Sequence, residues 1–419
     1  MEYLLRGDIC YSENLKNLIC KENAYLHIKD GLCQGVYDSL PKELSSVEIK
    51  DYSGDLILPG MVDLHLHAPQ YGFRGTKMDL ELLDWLNVNT FPEEAKYQNL
   101  DYAERGYQDF VEDLRGSATT RAVIFATLHK DATLLLMKLL EESGLVSYVG
   151  KVNMDRNSPE YLTEHTAEES LKNTQEWLSE IPKDWQNCKP ILTPRFTPTC
   201  SDALMEGLGK LAKEYKLPVQ SHLSENLGEI AWVKELCPDA KHYGDTYDRY
   251  GLLENSIMAH CVYTEGEELS ALKARGTMIC HCPQSNTNLC SGAAPIRYFL
   301  EENVKVGLGT DVAGGANRSM LRAITDAISV SKLRFRLMDQ SLAPLTLEEA
   351  FCLATLSGGS FFGKVGSFLP GYEADALVFH EKRRSVRKQT VKERLEVLLY
   401  TGEESARLQA KFVQGRQLF

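Results

Sequence analysis

The stretch Pro59-Gly-Met-Val-Asp-Leu-His65-Leu-His67 decides the fold of this chain. Pro59 and Gly60 punctuate its start, and Met61, Val62 and Leu64 supply a short apolar run of strand type. Side chains two apart on a strand share a face, so His65 and His67 project together from its carboxyl end. Neutral imidazole is the commonest side-chain metal ligand and suits zinc, copper, iron and nickel. A lone His-x-His pair carries little weight. What gives this pair meaning is the rest of the chain.

Short apolar runs alternate with helical stretches, the pattern of parallel strands joined by crossover helices. The runs lie at 56–67, 121–129, 146–154, 190–196, 217–222, 256–260, 277–281 and 304–311, eight in all. Amphipathic helix candidates fall between them, among them 134–142, 202–215 and 266–273. Eight such units predict an α/β chain with a (β/α)8 TIM barrel over 59–365, and in that fold the active site lies at the carboxyl ends of the strands. Those ends hold His65, His67, His129, Arg195, His222, His260, His281 and Asp311. Histidines with only a structural role have no reason to collect there. The termini carry short alternating runs at 2–9, 24–29, 36–37, 47–49, 374–380 and 410–419. These predict a small composite β-sandwich built from 1–58 and 366–419, with a tight turn at Pro370-Gly-Tyr372 introducing its second part.

Composition narrows the class. The chain has 419 residues, 43% of them apolar, enough for a large core. Its formal charge of -13, from 59 acidic and 46 basic residues, argues against DNA or RNA as a substrate but not against a free base. The densest basic run, Lys382-Arg383-Arg384 to Lys388, is short, runs into acidic sequence and reads as a solvated loop. The eleven cysteines are scattered, and the opening Met-Glu-Tyr-Leu-Leu-Arg has no signal-peptide pattern. Reduced thiols in a cytoplasmic protein are expected. No apolar run approaches membrane-spanning length, so no membrane partner is expected. Cys280-x-Cys282 lacks a second pair at zinc-site spacing and reads as buried packing.

Taken together, His65, His67, His222 and Asp311 are a metal-ligand set of three imidazoles and one carboxylate. That chemistry suits zinc, with ferrous iron as the alternative, and an open position for water. A metal there acidifies water from a pKa of about 15.7 to about 7, supplying hydroxide at neutral pH. At about 1.36 kcal/mol per unit the effect is on the order of 12 kcal/mol, beyond the reach of a carboxylate base alone. Glu225, three residues after His222, has two readings. It either carries protons between a ring nitrogen and a leaving amine, or caps the helix expected over 226–234. His260 at the sixth strand end is placed to hydrogen-bond the hydroxide. His129 and His281 either pack or support the ligands from behind.

These motifs together resemble the amidohydrolase superfamily and, within it, the guanine-deaminating branch. Pro59 to His67 with its Ala-Pro-Gln-Tyr71 tail resembles that branch's opening motif, and Pro194-Arg-Phe196, His222-Leu-Ser-Glu225, Ala259-His260 and Gly309-Thr-Asp311 resemble its later motifs in order. Lys151 to Asp155 and His281 to Asn286 also look like family segments. The resemblance covers nearly the whole chain. It implies a barrel with a composite sandwich, a homodimer, and hydrolysis of guanine at C2 to xanthine and ammonia in purine catabolism. By position it assigns zinc to His65, His67, His222 and Asp311, proton transfer to Glu225 and Asp311, with His260 beside them. Gln70, Arg195 and Phe196 hold the purine alongside His67, His222, Glu225 and Asp311. Arg offers a forked donor, Gln a donor and an acceptor, and Phe a stacking face, with simple core packing as the lesser reading of Phe196. The rivals are adenosine-type, thiomethyladenosine-type or triazine hydrolases of the same superfamily and, from another class, a non-catalytic scaffold barrel. The unrelated zinc deaminase fold needs Pro-Cys-x-x-Cys, which this sequence lacks.

Overall fold

A computed structural model of the chain describes residues 1–382 and 386–419. Arg383 and Arg384 of the basic run therefore lie outside the described residues. The chain opens with β1 (Glu2–Ser12), β2 (Leu18–Lys29), β3 (Leu32–Tyr37) and β4 (Ile49–Pro59). The next ten strands are β5 (Met61–His67), β6 (Thr119–Phe125), β7 (Val146–Gly150), β8 (Val152–Asn153), β9 (Cys188–Pro190), β10 (Thr193–Pro194), β11 (Val219–Leu223), β12 (Ser256–His260), β13 (Met278–His281) and β14 (Lys305–Leu308). The last are β15 (Ala376–Glu381), β16 (Ala406–Val413) and β17 (Arg416–Gln417).

Two parallel four-stranded sheets form the centre, ordered β5-β6-β7-β9 and β11-β12-β13-β14, with helices between successive strands. This is the strand arrangement of TIM-barrel proteins. Backbone bonds join the sheets at both seams: Leu192 pairs with Val219 on one side, and on the other Asp311 N–H donates to His65 O at 2.7 Å and His67 N–H to Val312 O at 2.8 Å. Between the sheets Val62, Leu64, Val123, Ile257, Ala259, Met278 and Cys280 form one buried cluster. Cys280 and Cys282 thus pack as small apolar groups, as expected.

Several boundaries differ from the sequence reading. Residues 56–59 belong to β4, not to the first central strand, because the apolar run continues across Pro59-Gly60 while the backbone changes sheet. Gly60 is required at that crossing, since a Cβ there would lie 2.1 Å from Thr120 Oγ1. The second strand ends at Phe125, leaving His129 as the residue before the helix Lys130–Ser143. The run at 190–196 splits between β9 and β10. By contrast, the helix Asp202–Tyr215 has the expected limits, opened by Ser201, whose side chain accepts the Leu204 N–H.

The terminal strands join in one seven-stranded sheet, ordered β17-β16-β15-β4-β1-β2-β3, so the two ends of the chain interleave. β4 is the seam: Ile57 pairs with Val378 of β15 on one side and with Ile9 of β1 on the other. The hydrogen bonds run continuously through all seven strands, with register shifts in the pairings of β1 with β2 and β4, of β2 with β3 and of β15 with β16. Lys411 pins this sheet to the centre. Its buried Nζ donates to the carbonyls of Leu114, Arg115, Ser117 and Thr119 at 2.5–3.4 Å, at the carboxyl end of the helix Leu100–Gly116. A cation suits the negative end of a helix dipole. Lys411→Met should strand these carbonyls and lower the unfolding free energy by about 2–3 kcal/mol while sparing activity. An unchanged denaturation midpoint would show that the carbonyls find other partners.

Candidate active site

His65 and His67 face the site because of a bulge. In β5 the pairing with β6 runs Asp63 to Ala122 and then Leu66 to Ile124, so β5 carries one extra residue. An added residue exchanges the two faces of a strand. Val62 and Leu64 therefore fill the centre, while His65 and His67 turn inward beyond them and Leu66 packs outward with Ile124. Asp63, unread in the sequence, locks this strand to the last one. Its carboxylate accepts Thr310 Oγ1–H at 2.6 Å, Thr310 N–H at 3.0 Å and His65 N–H at 3.3 Å. Burial raises its pKa to about 7.

Four of the predicted ligands converge. His65 Nε2 and His67 Nε2 are 3.2 Å apart, His67 Nε2 and His222 Nε2 3.3 Å, and Asp311 Oδ1 lies 3.2 and 3.3 Å from His65 and His67. Tetrahedral ligands at 2.0–2.1 Å from a zinc ion are about 3.3 Å from one another, so these edges fit one such ion. The protonation also fits. His222 Nδ1 must donate to the Arg195 carbonyl at 2.7 Å, which leaves its Nε2 lone pair facing the cluster. Burial lowers the His65 pKa to about 4 and, with the neighbouring imidazoles, holds His222 well below its ordinary value, so both present neutral imidazole nitrogens to the cluster. Burial works to raise Asp311, yet the imidazoles of His65 and His67 outweigh it and hold the carboxyl well below the usual range.

Asp311 and His260 both occupy left-handed backbone, at φ 49° and 73°, conformations that non-glycine residues hold only where the surroundings enforce them. His260 Nδ1–H donates to Asn286 Oδ1 at 2.8 Å, turning its Nε2 toward Glu225 Oε2 at 3.4 Å and Asp311 Oδ2 at 3.8 Å. Glu225 accepts from Ser291 Oγ at 3.2 Å. The helix Leu227–Leu236 is capped by Asn226 with Glu229, so the capping role considered for Glu225 falls to its neighbours. Burial, reinforced by the Asp311 charge, pushes Glu225 well above the ordinary carboxyl range. Two nearby carboxyls are thereby driven in opposite directions, the arrangement that separates an acid from a base.

One cavity takes in His67, Gln70, Arg195, Phe196, His222, Glu225, His260 and Asp311, walled by Leu82, Trp85, Leu86 and Leu289. Phe196 therefore faces the site and not only the core. His129 and His281 do not line it. The sequence reading missed Glu94, a buried carboxylate that binds both Arg195 and Gln70, at 2.6 and 2.8 Å. In Phe91-Pro-Glu-Glu94 it looks like an ordinary first-turn acid, no different from Glu93, which pairs with exposed Lys96.

The pattern of the amidohydrolase family matches residues 56–404, and the chain belongs to that family. Its relatives narrow the placing. A guanine deaminase of Rattus norvegicus is 44% identical over 345 residues, 80% of this chain and 75% of that protein. One from Dictyostelium discoideum is 39% identical over 442 residues, 99% of this chain and 98% of its own length. Among solved structures, guanine deaminase from C. acetobutylicum, with guanine bound in its active site, superposes with a TM-score of 0.97 at 43% identity over the whole of both chains.

Proposed function

We propose that this chain hydrolyses guanine at C2, releasing ammonia and leaving xanthine. The observation that carries the reading is the shared cavity: Gln70, Arg195 and Phe196, suited to a planar base with a carbonyl, stand beside the His/Asp cluster and Glu225. His65, His67, His222 and Asp311 would hold a divalent ion, zinc or ferrous iron, which when bound supplies the Lewis acidity that ionises water near neutral pH. Asp311 Oδ2, on the carboxylate edge away from His65 and His67, takes the proton of the attacking water, with His260 Nε2 at 3.8 Å steadying it. Glu225 Oε2 gives its proton to a ring nitrogen, takes up the proton of the new C2 hydroxyl and passes that one to the departing amine as the C–N bond breaks; the proton held by Asp311 then restores Glu225. Phe196 offers the base a ring face, and Arg195 donates to its carbonyl.

The same proposal takes the two central sheets as one closed (β/α)8 barrel over 59–365, supported by the backbone bonds at both seams. It treats 1–58 and 366–419 as a second unit, a composite β-sandwich, with its own apolar cluster around Tyr3, Ile9, Ile57, Phe368, Val378 and Phe412. It includes a homodimer, supported by Leu333, Leu337 and Met338 exposed along one helix end. Cytoplasmic residence is supported by eleven cysteines that are all free thiols. Among the described residues no helix is long and apolar enough to cross a membrane.

Ammonia release from a panel of guanine, adenine, guanosine, cytosine and ammeline tests the reading, and activity on any of these without activity on guanine would overturn it. The role of Arg195 is best tested by Arg195→Lys, because alanine would strand buried Glu94 without a partner. Lysine keeps the charge and loses the fork. We expect kcat/KM for guanine to fall about ten- to a hundredfold, the equivalent of roughly 1.5–3 kcal/mol for a charge-assisted hydrogen bond. Unchanged kcat/KM would mean that Arg195 does not read the base.

A further inference from the structure

We propose that Glu94 is a positioning residue for base recognition, a buried carboxylate that fixes the donor and acceptor faces which Arg195 and Gln70 present to the purine. The proposal rests on the guanine-hydrolysing reading above and adds what sets its selectivity. Glu94 ends the short helix Phe91–Glu94, lies behind the cavity wall and is 2% exposed. Its Oε2 accepts from Arg195 Nη1 at 2.6 Å, and its Oε1 accepts from Arg195 Nη2 at 3.2 Å and from Gln70 Nε2 at 2.8 Å. Phe91, one helical turn earlier, lies against the same guanidinium, whose central carbon is 5.0 Å from the ring centroid. One turn of helix thus holds Arg195 by its edge and by its face. The guanidinium cannot rotate without giving up both contacts.

Gln70 is fixed by a different logic. A glutamine amide offers a donor and an acceptor and can turn either way, whereas a carboxylate only accepts. Glu94 therefore draws the amide nitrogen, and the amide oxygen is left facing the Ala313 N–H at 3.3 Å. Turned over, the amide would set oxygen against carboxylate and N–H against N–H. Both faces are disfavoured, so the amide has one orientation. Arg195 and Gln70 line the cavity beside Phe196. With both locked, the site has a fixed polarity: the guanidinium donates to a purine carbonyl and resists an amine in its place. Discrimination of this kind comes from buried polar groups that would be left unpaired by the wrong base.

The test compares guanine with 2,6-diaminopurine, which keeps the 2-amine and replaces the carbonyl by an amine. In Glu94→Gln, with metal content equal to that of the unaltered protein, we expect kcat/KM for guanine to fall about ten- to a hundredfold, chiefly through KM, and the preference for guanine over 2,6-diaminopurine to fall at least about tenfold. Where turnover of the diamine is too slow, its inhibition constant against guanine supplies the ratio. Glu94→Asp keeps the charge and withdraws it by one methylene, so it should recover part of the preference. If Glu94→Gln does not accumulate folded, Glu94→Asp alone decides, with an expected loss of preference of about threefold or more. An unchanged preference with equal losses on both bases would overturn the proposal and leave Glu94 a purely structural group. An unaltered protein inactive on guanine would instead overturn the function itself.

Discussion

Glu225→Gln is expected to keep its metal and to bind guanine, while turning over at least about a hundredfold more slowly, the low end of a general acid–base contribution. The carboxyl is buried between Ser291 Oγ at 3.2 Å and His260 Nε2 at 3.4 Å. Burial and the charge of Asp311 both favour its protonated form, which is the form that can give a proton to a ring nitrogen. An amide has the same size and can still pair with Ser291, but it has no proton to give or take. The helix that follows does not depend on the substitution, because Asn226 and Glu229 cap it. Folding and metal content should therefore match the unaltered protein, and a binding measurement on the slow variant should return a guanine Kd within a few-fold of the unaltered KM. Near-normal turnover would mean that the proton travels by another group.

Most of the site's chemistry was legible in the sequence, and most of its geometry was not. Ligand types at successive strand ends point to the barrel and to the cluster of His65, His67, His222 and Asp311, because strand periodicity and residue chemistry are local properties. The bulge in β5 is not local. Simple alternation puts His65 and His67 on the face opposite Leu64, and only the pairing of Leu66 with Ile124 reveals the extra residue that brings histidines and core to the same side. Glu94 was invisible for a similar reason: its partners lie 101 and 24 residues away, and nothing in Phe91-Pro-Glu-Glu94 marks it as buried. The run read at 56–67 crosses from one sheet to another at Pro59-Gly60, because two apolar runs of different sheets are contiguous in sequence. Glu225 stood between two readings until the neighbouring Asn226 and Glu229 were seen to form the cap.

Removing the divalent metal should abolish hydrolysis altogether, a larger effect than any single proton-transfer variant. The facing atoms of His65, His67, His222 and Asp311 stand 3.2–3.3 Å apart along four edges of the cluster. Burial favours the neutral forms of His65 and His222, which then cannot offset the Asp311 carboxylate, so the cluster suits a cation. We expect one tightly bound divalent ion per chain by metal analysis, and loss of that ion in His65→Ala and in His222→Ala. His65→Ala removes a ligand that touches both His67 and Asp311, and His222→Ala removes the one whose tautomer is fixed by the Arg195 carbonyl. Without the ion, water at neutral pH regains its ordinary pKa, a penalty on the order of 12 kcal/mol for making hydroxide, which no remaining carboxylate can recover. Reconstitution with zinc and with ferrous iron in turn identifies which one restores turnover. Full activity in a rigorously metal-free sample would leave the convergence of these four side chains without a chemical purpose and would remove the basis for the proposed reaction.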